Sequence, residues 1–206
     1  VHKGGQITST ISRFPLSFRP FFYGPNANFS ENSHMSSLIY EGLITLHPIT
    51  LEYIPVLASH WKISEDQQTF TFRIDPRARF ADGSRVTAED VVATFKLIMD
   101  ESINSPSMQQ TYRRFDVPKA LSPYLVQVTC NEVNWRNFMS FGASLRILKA
   151  DEIGNLTGKE FVDKYQFDMP VGSGPYLILR EEIKKQQSYS FTRRADCGAS
   201  DDWANK

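Results

Sequence analysis

Phe70, Phe72 and Ile74 alternate with polar neighbours, the mark of a strand with one buried face. Val126, Val128 and Cys130 repeat that pattern and predict a second strand over 124–130. Between them, Val91, Val92, Phe95 and Ile98 recur at helical spacing, which predicts a helix from Thr87 to about Met99. Its start is signposted. Asp82-Gly83 is a turn pair, Thr87 is an N-cap, and Asp90 three residues later completes a capping box in its acidic form. Thr157 and Glu160 form a second capping box, leading a helix to about Tyr165. Met35, Leu38, Ile39 and Leu43 predict a helix over 34–43, and 135–141 reads as a short amphipathic helix.

Weaker patterns fill the remainder. Residues 6–12 are rich in β-branched side chains and read as a strand. Residues 13–33 are irregular, punctuated by Pro15, Pro20, Gly24 and Pro25. Short strands are expected near 44–46, 51–53 and 69–74, with a packed segment over 57–61, a turn over 64–67 and an extended piece over 145–148. Pro106 and Pro118 make 100–120 look loop-rich. "PVGSGPYLILRE" and "SYSFTRR" read as a strand pair joined by the polar 181–187 segment, and no periodicity follows Arg194. Strands and helices mixed without a regular β-α-β cadence indicate an α+β or mixed α/β fold.

Composition narrows the chemistry. The 206 residues are 41% hydrophobic, enough for a sizeable core. Lys+Arg and Asp+Glu are equal at 23 each, which gives no electrostatic case for nucleic acid or an anionic membrane surface. No run of 18 apolar residues is present to span a bilayer. The start at Val1, without initiator Met or apolar leader, reads as a processed or internal beginning. Cys130 and Cys197 match no zinc spacing; Cys130 reads as a small buried hydrophobe, with a disulfide to Cys197 left open. The four histidines stand singly on their segments, so no metal site is expected. Gly172-Ser173-Gly174 lacks the helix that a nucleophile elbow or phosphate loop needs, because Pro175 and a strand follow. Glu89 and Asp90 point about 100° apart on a helix and cannot face one another as an acid/base pair; a helix N-terminus favours their charge. Two Asn-x-Ser/Thr sequons, at Asn28 and Asn155, matter only in a eukaryotic secreted protein.

The order of the motifs is more specific than any one of them. Glu41-Gly42-Leu43 is followed by "PVLASHW" (55–61), "FTFR" (70–73), "FADG" (80–83), "VTAEDV" (86–91) and finally "GSGPY" (172–176). Over roughly 4–194 this succession resembles the extracellular solute-binding proteins of family 5, the oligopeptide- and dipeptide-binding components of ABC importers. The resemblance departs after Arg194, where the family continues "R-x-x-x-YW" and this chain reads "ADCGASDDW".

That resemblance implies a type II periplasmic binding protein fold: an N-terminal lobe and an accessory subdomain, with the second lobe missing from this chain. Residues 1–34 and 170–194 would belong to the first ligand-binding lobe, 35–169 to the accessory subdomain, and 195–206 to an irregular tail. It implies a binding protein rather than an enzyme, with no cofactor. Two lobes would close on a peptide or other small solute and deliver it to ABC permease subunits. Nucleic acid is not an implied partner, and a monomer is expected. The implied location is periplasmic or extracellular, reached by way of a signal peptide absent from this chain, with a lipoprotein anchor as one form. Alternatives on the same scaffold are nickel complexes, sugars, or a sensory module that presents its ligand to a receptor. In the family the loop after the first strand reaches the cleft; here that is 21–30. Tyr23 and Phe29 would line a wall, and Asn26, Asn28 and Ser30 would bond a peptide main chain. The competing reading of the same residues is an ordinary Pro/Gly/Asn loop.

Overall fold

The computed structural model describes residues 5–11, 13–20 and 29–194, with only the backbone at 29 and 30. Its centre is a four-stranded antiparallel sheet in the order β3-β4-β6-β5, formed by Ala58–Ile63 (β3), Thr69–Ile74 (β4), Lys119–Ser122 (β5) and Leu125–Thr129 (β6). Phe70 lies opposite Val128 and Phe72 opposite Val126. Those residues and Ile74 are buried, while Thr69, Thr71 and Gln127 on the other face remain partly open to solvent. The period-2 pattern therefore reports one covered face.

Two helices supply the cover, Ala88–Met99 (α2) and Trp135–Gly142 (α4). Phe138 of α4 stacks on Phe72 at 5.4 Å with rings 10° apart and meets Phe70 edge-on at 5.4 Å. Phe141 bridges towards α2 through Phe95 at 6.3 Å. Such ring pairs add a modest directional term to the area they bury. A hairpin of Ile44–Leu46 (β1) and Tyr53–Pro55 (β2) packs at the side of α4, where Tyr53 meets Phe138 at 4.9 Å.

The capping box at Thr87 holds more than a helix end. One Asp90 oxygen accepts the Thr87 N–H at 2.7 Å and the Thr87 hydroxyl at 3.0 Å. The other accepts the Ala150 N–H at 2.7 Å, at the start of the short helix Ala150–Ile153 (α5). Burial raises the Asp90 carboxyl above its ordinary range, against the hydrogen bonds from Ala150 and Thr87. One turn on, the Thr94 hydroxyl donates to the Asp90 carbonyl at 2.7 Å and accepts the Leu148 N–H at 2.9 Å. The 145–148 segment thus needs no strand partner; it is strapped to α2 with Leu145, Ile147 and Leu148 buried.

Several expectations are corrected. Residues 6–11 are exposed and form no strand, with Ile7 98% open; β-branched side chains favour a strand only where one lies alongside, and among the described residues none does. Ser12 lies outside the described residues. The first helix is Phe29–Ile39 (α1), shifted towards the N-terminus from 34–43. The strand near 51–53 is Tyr53–Pro55, because Leu51 takes a left-handed turn conformation (φ 59°). The 57–61 segment is an edge strand. The 100–120 region is not loop-rich: after a 3-10 turn at Glu101–Ile103 it contains Pro106–Tyr112 (α3) and β5. Pro106 sits in the first turn of α3, where a missing N–H costs nothing, so a breaker signal acted as a start signal.

Gly158–Lys164 (α6) begins at the predicted Thr157/Glu160 capping box. Tyr176–Leu177 (β7) and Thr192–Arg193 (β8) form the expected antiparallel pair, two residues long. Cys130 is buried as a free thiol, its Sγ 3.2 Å from the Gln68 carbonyl; Cys197 lies outside the described residues.

Candidate functional site

Tyr23, Asn26 and Asn28 lie outside the described residues, as do the side chains of Phe29 and Ser30, which open α1. The surrounding frame is described. Residues 17–20 arrive buried, and the Phe18 N–H donates to the Gln166 carbonyl at 2.8 Å. Asn32, fully buried in the first turns of α1, reaches back to this incoming segment. Its amide donates to the Ser17 and Arg19 carbonyls, both at 3.0 Å, and lies 3.3 Å from the Ser17 hydroxyl. One side chain therefore ties the 17–19 segment to α1. Phe18 packs edge-on against Tyr189 at 5.3 Å, and His34 of α1 against Phe191 at 5.8 Å, so the β7–β8 connection braces the same frame. Sequence reasoning passed over Asn32, which falls in the 13–33 stretch read as irregular, where an Asn is ordinary.

Beside Arg19 lies a cavity of about 260 Å³, bounded by 102–104 and α6. Its Lys159 and Asp163 pair with one another at 2.7 Å. The space is below the roughly 300–1,000 Å³ common for small-molecule sites.

At the other end of α1, the motifs met in sequence come together. The Gly174 N–H donates to the Ile39 carbonyl at 2.8 Å, and the Ala81 N–H to the Gly172 carbonyl at 2.9 Å. A Cβ on Gly172 would stand 2.1 Å from the Ile39 oxygen, and one on Gly174 2.5 Å from the Leu38 oxygen. The glycines of "GSGPY" are thus spacers for close backbone approach. The buried Arg194 guanidinium binds the Ser173 carbonyl at 2.8 Å and the Phe80 carbonyl at 3.1 Å. Tyr40 donates to the Pro170 carbonyl at 2.8 Å. Glu41 is the titratable group here. Burial pushes its carboxyl up to about 7, against the hydrogen bond from Ser173 and the charges of Arg194 and Arg146. Asp82, in the neighbouring turn, pairs with Lys149 and accepts from the Ser84 hydroxyl at 2.6 Å. Burial opposes its ionisation, yet those bonds hold it down to about 2. Among the described residues no group of three or more His, Cys, Asp or Glu converges on a point. What the arrangement does is fix backbone: it ties the 17–19 segment to α1, and α1 to the 79–81 turn and the β7–β8 pair.

The sequence model of the bacterial extracellular solute-binding proteins, family 5, matches residues 52–201. The chain belongs to this family. A nickel-binding periplasmic protein of Escherichia coli (strain K12) is 27% identical over 174 residues, covering 84% of this chain and 31% of that protein. The glutathione-binding protein GsiB of Pectobacterium atrosepticum is 28% identical over 157 residues, covering 75% and 29%. The oligopeptide-binding protein AppA of Bacillus subtilis, solved with a nonapeptide, superposes with a TM-score of 0.73 at 20% identity, covering 85% of this chain and 34% of that one. The likeness places the mixed α/β architecture among type II periplasmic binding proteins. The chain spans about a third of the length of these family 5 relatives. They are proteins that bind solutes, not enzymes.

Proposed function

We infer that this chain is part of the substrate-binding component of a peptide-type ABC importer, acting in the periplasm or outside the cell. The observation that carries this reading is the frame flanking 21–28: Asn32 of α1 bonded to the Ser17 and Arg19 carbonyls in a family 5 scaffold. Anchoring the flanks of a binding segment lowers the entropy cost of ordering its polar groups on ligand binding. Tyr23 and Phe29 form a wall, and Asn26, Asn28 and Ser30 bond the regular donors and acceptors of an extended peptide, which tolerates many side chains. Residues 1–34 and 170–194 belong to the ligand-binding lobe and 35–169 to the accessory subdomain. Closure of a second lobe completes the cleft, and the permease takes the ligand from the closed form. The protein works as a monomer.

The 27% identical nickel-binding relative supports a second reading, a metal complex as solute. Calorimetry on the full-length protein separates the two. Peptide binding is expected, weakened about tenfold for each lost contact on Asn26→Ala or Asn28→Ala. Binding of a nickel–histidine complex with no response to peptides establishes the second reading; binding of neither sinks both.

A further inference from the structure

The chain passes twice between the helix-covered sheet and the unit of α1 with the β7–β8 pair, at 40–43 and again at 169–174. The two passages run side by side. The Tyr40 hydroxyl donates to the Pro170 carbonyl at 2.8 Å, the Gly174 N–H to the Ile39 carbonyl at 2.8 Å, and the Glu41 N–H to Ser173 Oγ at 3.3 Å. A double crossing that contains glycine is where a hinge could be built. Here the glycines do the opposite. None of Gly42, Gly172 and Gly174 takes a left-handed φ. An added Cβ would stand 2.8 Å from the Ala143 oxygen at Gly42, 2.1 Å from the Ile39 oxygen at Gly172 and 2.5 Å from the Leu38 oxygen at Gly174. These glycines serve close packing rather than backbone freedom.

Residues 170–174 form no helix or strand, yet each is bonded to a distant element. Besides the contacts with α1, the Val171 N–H donates to Glu152 Oε2 of α5 at 3.0 Å, and the Gly172 carbonyl accepts the Ala81 N–H at 2.9 Å. Arg194 joins the Ser173 carbonyl at 2.8 Å to the Phe80 carbonyl at 3.1 Å. On the first passage, the Glu41 carbonyl accepts the Ile147 N–H at 2.9 Å. The 147–152 segment is itself fastened: to α2 through Thr94 at Leu148 and Asp90 at Ala150, and to the 82–84 turn through the Lys149–Asp82 pair. Glu152 therefore carries the hold of α2 across to the second passage.

We propose that these bonds turn the double crossing into a rigid joint, so that the helix-covered sheet moves with α1 and the β7–β8 pair as one body, with Glu152 as the positioning residue that locks the second passage. A backbone segment bends freely only where its N–H and C=O groups can change partners, and here they are committed on both sides of the crossing. On the importer reading above, on which this point rests, the binding lobe and the accessory subdomain form a single arm. The motion that closes on a solute then bends the chain outside 40–43 and 169–174.

Native-state amide hydrogen exchange on the full-length protein tests the joint, read at Val171, Gly174 and Ala81 against the amides of β4, which lies between β3 and β6. A rigid joint opens only with the sheet, so the crossing amides should have opening constants within about tenfold of those in β4. Glu152→Ala should raise the Val171 opening constant at least about tenfold and leave β4 unchanged. Glu152→Gln, whose amide oxygen still accepts the N–H, should stay close to the wild type. Crossing amides that open more than about tenfold faster than β4 in the wild type overturn the proposal. So does a Glu152→Ala variant that loosens Val171 no more than β4, or a Glu152→Gln variant as loose as Glu152→Ala. Should Glu152→Ala fail to fold, the wild-type comparison decides alone. No ligand enters these readings, so failure of the joint leaves the importer reading standing, and failure of that reading leaves the joint standing.

Discussion

Replacing Asp90 by alanine tests how the helix start is held. The carboxylate is 4% exposed and accepts three hydrogen bonds, from the Thr87 N–H, the Thr87 hydroxyl and the Ala150 N–H. Loss of the cap interaction costs about 1 kcal/mol. Leaving the Ala150 N–H without its acceptor in a largely buried place adds about 1–3 kcal/mol. Release of a carboxyl whose ionisation burial opposes returns part of that. A net loss of about 2–3 kcal/mol follows, a fall in Tm of about 8 °C for a chain of this size. Thermal and urea unfolding followed by circular dichroism reads it. The control is Glu89→Ala, an exposed acid in the same first turn, which interacts only with the helix dipole and costs under about 1 kcal/mol. Equal losses from the two variants would refute the reasoning, since the effect would then be charge at the helix end rather than the Asp90 bonds.

Gly172→Ala places a Cβ 2.1 Å from a backbone oxygen, so the junction must part; a loss of about 3 kcal/mol is expected in urea unfolding, and a change under about 0.5 would count against the packing described. Asp82 gives an acid-side signature. Its folded carboxyl sits at about 2, below its value of 3.8 in water, so its contribution is present above about pH 4 and fades as pH falls towards 2. With the side chain 36% exposed, that contribution is under about 1 kcal/mol; the wild-type advantage over Asp82→Asn should close on acidification, and a constant gap would contradict the assignment.

The parts legible in the sequence were those governed by local rules. Alternation at Phe70, Phe72 and Ile74 and the Thr87–Asp90 spacing each depend on residues a few positions apart, and the structure carries them unchanged. Pro106 shows the limit of a local signal: the same residue ends one element or begins another, depending on where the chain turns. The strand expected over 6–12 failed because a strand is a property of a pair, and the pair was not visible. Nothing in sequence links Arg194 to Phe80, 114 residues away, or Asn32 to the segment entering the loop. Tyr23, Asn26, Asn28, Phe29 and Ser30 were singled out by resemblance alone, whereas the bonds between Asn32 and the 17–19 segment on their flanks are seen only in the structure. The charged residues of 79–95 were legible as parts of a turn, a cap and a helix rather than as an acid/base site, and the structure places them so.

The central claim, capture of peptides by the full-length protein, is tested most directly by native mass spectrometry of that protein purified without refolding. The account predicts bound short peptides of mixed sequence, released on denaturation. A homogeneous metal complex or sugar in their place would contradict it.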